Sequence, residues 1–296
     1  MATNIYDMIN NRITELLEQG TIPWRKPWNA QSNYPKNLIS KKEYRGVNVF
    51  MLACQQYDSP WWLSFKQVQD RGGQVIKGEK ATPVVFWKWI NSVDADVSEE
   101  QGSRIVKIPM LRYYNVFNLE QTEGVSAPEP DENKNDHQPL SLPEEIFKNM
   151  PIRPELKFGG NRAYYSSALD YVQLPHLSTF DTPEEYYSTL FHEITHATGH
   201  QSRLARKSIH EPSYFGSHEY SKEELVAEMG AAFLCGFSGI ENITIENSAA
   251  YIAGWLKALK NDKTLLIHAA AQAQKAADFI LNRKEGESED VEEVAA

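Results

Sequence analysis

The chain has 296 residues, 41% of them hydrophobic and 24% charged, with a formal net charge of −10. That length suits one large domain or two ordinary ones, and the apolar share is enough for a real core. No run of about 18 apolar residues occurs, which excludes a spanning helix, and the overall acidity argues against nucleic-acid binding along the whole chain.

The charge is unevenly placed. Residues 1–93 carry 12 Lys and Arg against 7 Asp and Glu, a net of +5, leaving 18 against 33, a net of −15, for the rest. Six of the seven Trp (Trp24, Trp28, Trp61, Trp62, Trp87, Trp89) share that basic third. Such asymmetry marks an interaction region on an acidic body. The first seven residues have neither a basic nor an apolar stretch, so no secretory signal is visible. Cys54 and Cys235 lie far apart in apolar surroundings and read as buried reduced thiols, which suits a cytoplasmic protein.

In chain order, residues 4–19 place Ile5, Met8, Ile9, Ile13, Leu16 and Leu17 at helical spacing, with Gly20 as the stop. In Ile22-Pro23-Trp24-Arg25-Lys26-Pro27-Trp28, two prolines forbid regular helix and leave two indoles and two cations on an extended loop. Val49 to Cys54 reads as a second helix, and Ser64 caps a short helix from Phe65 to Arg71 that Gly72-Gly73 ends. Gln74-Val75-Ile76 and Thr82 to Trp89 read as strands joined through Lys77-Gly78-Glu79-Lys80, and Arg104 to Leu119 as one more. Cations interleaved with exposed rings are what a single-stranded nucleic-acid groove needs, the cations following phosphates and the rings stacking on bases. Trp61 and Trp89 read as core; Trp24 and Trp28 read as exposed.

The acidic stretch 123–143 has almost nothing to bury and reads as a flexible linker. It divides an N-terminal domain, 1–122, from a second, 144–283, with 284–296 as a disordered acidic tail. Residues 159–166 and 170–175 read as two short strands around a turn. Thr182-Pro183-Glu184-Glu185 then opens a helix, with Thr182 as N-cap, Pro183 at the first position and Glu185 closing a capping box. Residues 248–281 read as one or two amphipathic helices whose Ala-rich face packs on the second domain.

The helix opened at Thr182, ended by Gly199, carries His192-Glu193-Ile194-Thr195-His196. An H-E-x-x-H on a helix sets two imidazoles one turn apart on one face, where they can bind one zinc-like ion while Glu193 holds the attacking water. A third protein ligand is needed. His200 lies about 12 Å along the axis from His192 on a continuous helix, outside any coordination sphere, and reads as a helix-end cation. A second helix, capped by Ser221, puts Glu224 and Glu228 one turn apart beside small apolar residues. One of the two can bind the ion while the other holds a histidine from behind. Glu223 reads as solvated.

His192-Glu193-x-x-His196 followed by Glu224-x-x-Ala227-Glu228 resembles zinc-dependent metallopeptidases of the gluzincin kind. The series Pro23-Trp24, Tyr44-Arg45-Gly46-Val47-Asn48, Gly73-x-Val75-x-Lys77-Gly78-Glu79 and Val116-Phe117-Asn118-x-Glu120-Gln121 is similar to the single-stranded-DNA-binding domain of the ArdC antirestriction family, itself similar to the N-terminal region of plasmid TraC primases. This resemblance implies an α+β chain of two domains. The first would be a mixed α/β domain that binds single-stranded DNA without sequence preference; the second, a zincin-like, gluzincin-type metallopeptidase domain. It further implies a plasmid-borne protein that protects incoming DNA from restriction during conjugation, with a host protein as peptidase substrate. One divalent ion, zinc or alternatively manganese, would sit on His192, His196 and Glu224, with Glu193 as general base. Glu228 stands where many relatives have Asp or Asn, so it stays open as an alternative ligand. The candidate DNA contacts are Trp24, Arg25, Lys26, Trp28, Tyr44, Arg45, Asn48, Lys66, Lys77 and Lys80. The rival reading is a non-enzymatic single-stranded-DNA-binding protein with a structural metal.

Overall fold

Helix α1 (Ile5–Glu18) starts where the Asn4 side chain accepts a hydrogen bond from the Tyr6 N–H, and buries Ile9, Ile13, Leu16 and Leu17 at helical spacing. The computed structural model describes residues 4–19, 22, 34–55, 57, 59–93, 105–128, 141–210, 218–240 and 249–283. The expected loop from Pro23 to Trp28 and the acidic tail beyond residue 283 fall outside them.

The N-terminal part continues with β1 (Lys36–Asn37), α2 (Val47–Ala53), β2 (Trp61–Ser64) and α3 (Phe65–Asp70). Ser64 caps α3 reciprocally: its hydroxyl accepts from Gln67 N–H, and its own N–H donates to Gln67 Oε1. Then come β3 (Gln74–Val75), β4 (Thr82–Val93), β5 (Ile105–Asn118) and β6 (Thr122–Glu123). The four-stranded sheet runs β1-β2-β5-β4, with β4 and β5 a long antiparallel pair from Thr82↔Val116 to Val93↔Ile105. Strand β3 does not continue into the β4 pair as its position in the chain suggests. It pairs instead with β6, at the start of the segment read as linker.

The C-terminal part comprises α4 (Ser141–Asn149), β7 (Glu155–Phe158), β8 (Tyr164–Ser166), β9 (Tyr171–Leu174), α5 (Pro183–Ala197), α6 (Lys207–His210), α7 (His218–Ser238), α8 (Ala249–Asn261) and α9 (Leu265–Ile280). Its sheet has the order β7-β9-β8, with β7, absent from the sequence reading, parallel to β9. Helix α5 begins as expected with Pro183 after the Thr182 cap, whose hydroxyl accepts from Glu185 N–H. The Glu185 carboxylate accepts from Asp181 N–H, one residue before the cap, so the capping box is displaced by a residue. Helix α7 starts three residues before Ser221, which therefore lies inside it and does not cap it.

One hydrophobic cluster runs through both parts, from Ile9, Val49 and Phe50 to Phe191, Phe233 and Ala273. The Phe50 and Phe233 rings stack with centroids 4.9 Å apart, joining α2 to α7. Polar contacts cross the same boundary: Asn10 Nδ2 donates to Leu259 O, and Gly46 N–H to Gln274 Oε1. Cys235 is buried, whereas Cys54 is only half-buried, and neither is in a disulfide. No helix among the described residues is long and apolar enough to cross a membrane.

Candidate metal centre

Helices α5 and α7 lie against each other, and what lets them approach is Gly230. A Cβ there would meet Thr195 Cγ2 at 2.5 Å and Oγ1 at 2.8 Å. Thr195 directly precedes His196, so this contact sets the spacing between the two helices that carry the site.

His192 and His196, one turn apart on α5, turn their Nε2 atoms to within 3.2 Å of each other. Glu224 on α7 closes the triangle, with Oε2 at 3.6 Å from His192 Nε2 and Oε1 at 3.5 Å from His196 Nε2. Metal–ligand bonds near 2.0–2.1 Å in tetrahedral geometry place ligand atoms about 3.3 Å apart. These three side chains are thus the right size for one divalent ion, and their N/O donors suit zinc or manganese. Burial alone would lower the proton affinity of His192, but the hydrogen bond to Glu224, with the charges of Glu193, Glu228 and Glu224, raises its pKa to about 9. That same negative field attracts a cation. Glu193 is itself buried.

Glu228, left open as an alternative ligand, and Glu223, read as solvated, take different positions. Glu228 Oε1 lies 4.0 Å from His192 Nδ1, on the side of the ring facing away from the triangle. Glu223 is not solvated: it is buried, with Oε1 3.3 Å from His196 Nδ1. Arg206 reaches it with two donors, Nη2 to Oε1 at 2.6 Å and Nε to Oε2 at 3.1 Å, and Ser208 Oγ donates to Oε2 at 2.5 Å. Burial would raise the Glu223 pKa, but the His196 hydrogen bond and the Arg206 guanidinium outweigh it and hold it at about 2. The sequence reading missed Glu223 and Arg206; an acidic residue next to a ligand, on a helix otherwise small and apolar, was the available signal. His200 is not part of the triangle. Its Nδ1 accepts from Ser202 N–H and lies 3.9 Å from Asp170, and Asp170 is held by Arg203 in a two-pronged pair at 2.7 and 2.9 Å.

The candidate DNA contacts divide into three groups. Trp24, Arg25, Lys26 and Trp28 lie outside the described residues. Lys66, Lys77 and Lys80 are exposed. Tyr44, Arg45 and Asn48 each make contacts within the fold, Tyr44 buried and the other two half-buried. Tyr44 is buried with Leu52, Trp62, Val84 and Val116. Arg45 pairs with the buried Asp278 of α9. Asn48 donates to Val85 O and accepts from Val85 N–H, both at 2.7 Å, closing the outer edge of β4 against α2. Among the tryptophans whose side chains are described, Trp62 and Trp255 are buried; Trp89, expected in the core, lies outside them. Trp61, also expected in the core, is half-buried with Lys41 Nζ 4.5 Å from its ring centroid. Trp87 and Tyr113 on the β4–β5 pair are more than two-fifths exposed.

Comparison with known proteins agrees with this layout. A model of the N-terminal domain of the anti-restriction factor ArdC matches residues 3–117, and a zincin-like metallopeptidase model matches residues 143–272. The crystal structure of metal-free antirestriction ArdC from plasmid R388 is 37% identical, with a TM-score of 0.75 over 95% of this chain and 99% of that one. The chain belongs to the ArdC antirestriction family. The Mn(II)-bound structure of the R388 ArdC protein matches with a TM-score of 0.72 and 36% identity, covering 94% of this chain and 97% of that one. The chain is also similar to part of a longer protein: the DNA primase TraC of Escherichia coli is 33% identical over 293 residues, 93% of this chain but 27% of TraC. The chain therefore spans about a quarter of that curated relative.

Proposed function

We propose that this ArdC-family protein is a plasmid-encoded antirestriction factor. It binds single-stranded DNA through its N-terminal domain and carries a metal-dependent peptidase site that protects incoming DNA from host restriction in the recipient cytoplasm. The observation that carries the reading is the triangle of His192, His196 and Glu224, with donor atoms 3.2–3.6 Å apart and the buried Glu193 between the two histidines in sequence. Zinc bound there would polarise a substrate carbonyl and acidify a water. Zinc is our choice of ion; manganese, present in the R388 relative, is the alternative. Glu193 takes the proton from the attacking water and passes it to the leaving amine. Glu228 stands behind His192 as a support for the ring. For DNA, the rings and cations of the Trp24–Trp28 sequence, with the exposed Lys66, Lys77 and Lys80, supply what a sequence-independent groove needs.

Glu193→Ala is the test. The variant should keep metal and single-stranded DNA binding and lose protection of transferred DNA. Protection that survives the substitution would remove the enzymatic half of the proposal and leave a DNA-binding protein with a structural metal. Trp24→Ala with Arg25→Ala should weaken single-stranded DNA binding and flatten its salt dependence; unchanged affinity would exclude that segment.

A further inference from the structure

We propose that Glu223 is a positioning residue of the metal centre: anchored by Arg206, it fixes the ring of His196 so that Nε2 carries the lone pair that faces the ion. The inference rests on the metal-centre reading above and adds to it residues outside the ligand set.

The argument is one of donors and acceptors. Arg206 is buried, with its side chain 5% exposed, and a buried guanidinium is tolerated only when its donors are met. Besides Glu223, it donates to Thr195 O at 2.8 Å and Thr198 Oγ1 at 2.6 Å. One cation therefore ties the last turn of α5 to α7, and it delivers the Glu223 carboxylate to His196. On that carboxylate, Oε2 accepts from Arg206 Nε and Ser208 Oγ, and Oε1 accepts from Arg206 Nη2. An ionised carboxylate paired with arginine has no proton to give. The proton in its contact with His196 must therefore sit on the ring Nδ1, so that in the neutral ring Nε2 is the unprotonated nitrogen, directed at His192 Nε2 and Glu224. Gly199 belongs to the same device, because a Cβ there would stand 2.4 Å from Ile209 Cγ1 and 3.1 Å from Arg206 Nη2. The chain reversal after α5 needs that space to bring Arg206 beneath the helix.

Glu223→Gln separates this role from simple packing, since it keeps the volume, removes the charge and offers an amide donor toward Nδ1. In the full-length, metal-free chain labelled with nitrogen-15, the imidazole resonances of His196 should report the Nδ1–H form in the wild type. In Glu223→Gln they should shift toward the Nε2–H form. Zinc affinity, read by competition with a chromophoric chelator, should fall about 10- to 100-fold. Glu223→Asp keeps the charge that Arg206 requires and withdraws the carboxylate by one methylene. It should move both readouts in the same direction, and it serves as the test if Glu223→Gln does not fold. A folded variant with the wild-type ring form and wild-type zinc affinity would overturn the assignment. If the wild type itself bound no zinc or manganese, the metal-centre reading would fall, whereas the ring form of His196 would still judge Glu223.

Discussion

Gly230→Ala tests whether the contact between α5 and α7 sets the metal centre. The added methyl would stand 2.5 Å from Thr195 Cγ2, 2.8 Å from its Oγ1 and 3.2 Å from its Cβ. Carbon atoms in contact settle at about 3.5–4.0 Å, so the helices must part by about 1 Å. Thr195 cannot simply swing aside: it is fully buried, and its hydroxyl donates to Phe191 O at 2.7 Å. Overpacking of this kind costs about 1–3 kcal/mol, and the midpoint of thermal unfolding of the metal-free chain should fall by several degrees. Ligand distances in a working site must hold to within about 0.2 Å, so a shift of that size opens the Glu224 side of the triangle. Metal affinity by chelator competition should drop by at least about tenfold, or 1.4 kcal/mol. Adding Thr195→Ala removes Cγ2 and Oγ1 and should restore much of both quantities, a coupling that a double-mutant cycle measures. Wild-type stability and wild-type metal affinity in Gly230→Ala would refute the reasoning.

Three further outcomes follow from the same geometry. Arg45→Ala strips the buried Asp278 of its cation and should destabilise the chain by about 3 kcal/mol in a single shifted unfolding transition. Two separate transitions would show that the shared core does not couple the halves. Asn48→Ala, which removes both bonds to Val85, should cost about 1–3 kcal/mol in denaturant titrations and leave the single-stranded-DNA affinity of the folded protein unchanged. Lost affinity at full stability would return Asn48 to the DNA surface. With its pKa raised to about 9, His192 is protonated at neutral pH before metal arrives, and the ion must displace that proton. Zinc affinity should therefore strengthen with rising pH and level off near pH 9; a flat profile between pH 6 and 9 would count against the assignment.

Local chemistry was legible in the sequence. The Thr182 cap with Pro183, and the reciprocal bonds of Ser64 and Gln67, depend on residues within one turn. The H-E-x-x-H likewise placed its two imidazoles on one helical face. What could not be read was set by distant partners. Nothing near β3 announces that it pairs with β6 instead of β4, because the ladder is chosen by tertiary packing and not by adjacency. The segment Tyr44 to Asn48 looked like a recognition motif, yet its partners are Val85, Gln274 and Asp278, as many as 233 residues away. Glu223 misled for the same reason, since the arginine that makes its burial tolerable lies 17 residues upstream.

The three acidic residues of α7 show how one helix can divide its labour by angle. At about 100° per residue, Glu223 and Glu224 point about 100° apart, while Glu228 falls about 40° beyond Glu224. Around that arc the carboxylates meet, in order, His196 Nδ1, the two Nε2 atoms and His192 Nδ1. The middle carboxylate is the one that can reach an ion, and each outer one stands behind a different histidine. A one-residue change in register would rotate the arc away from α5 and misplace all three contacts together. The close approach at Gly230, six residues beyond Glu224, resists that slip, because only glycine there lets the helices sit close enough for the arc to engage. The acidic residues and the glycine therefore act as one device, in which the register of α7 on α5 decides which carboxylate meets the metal.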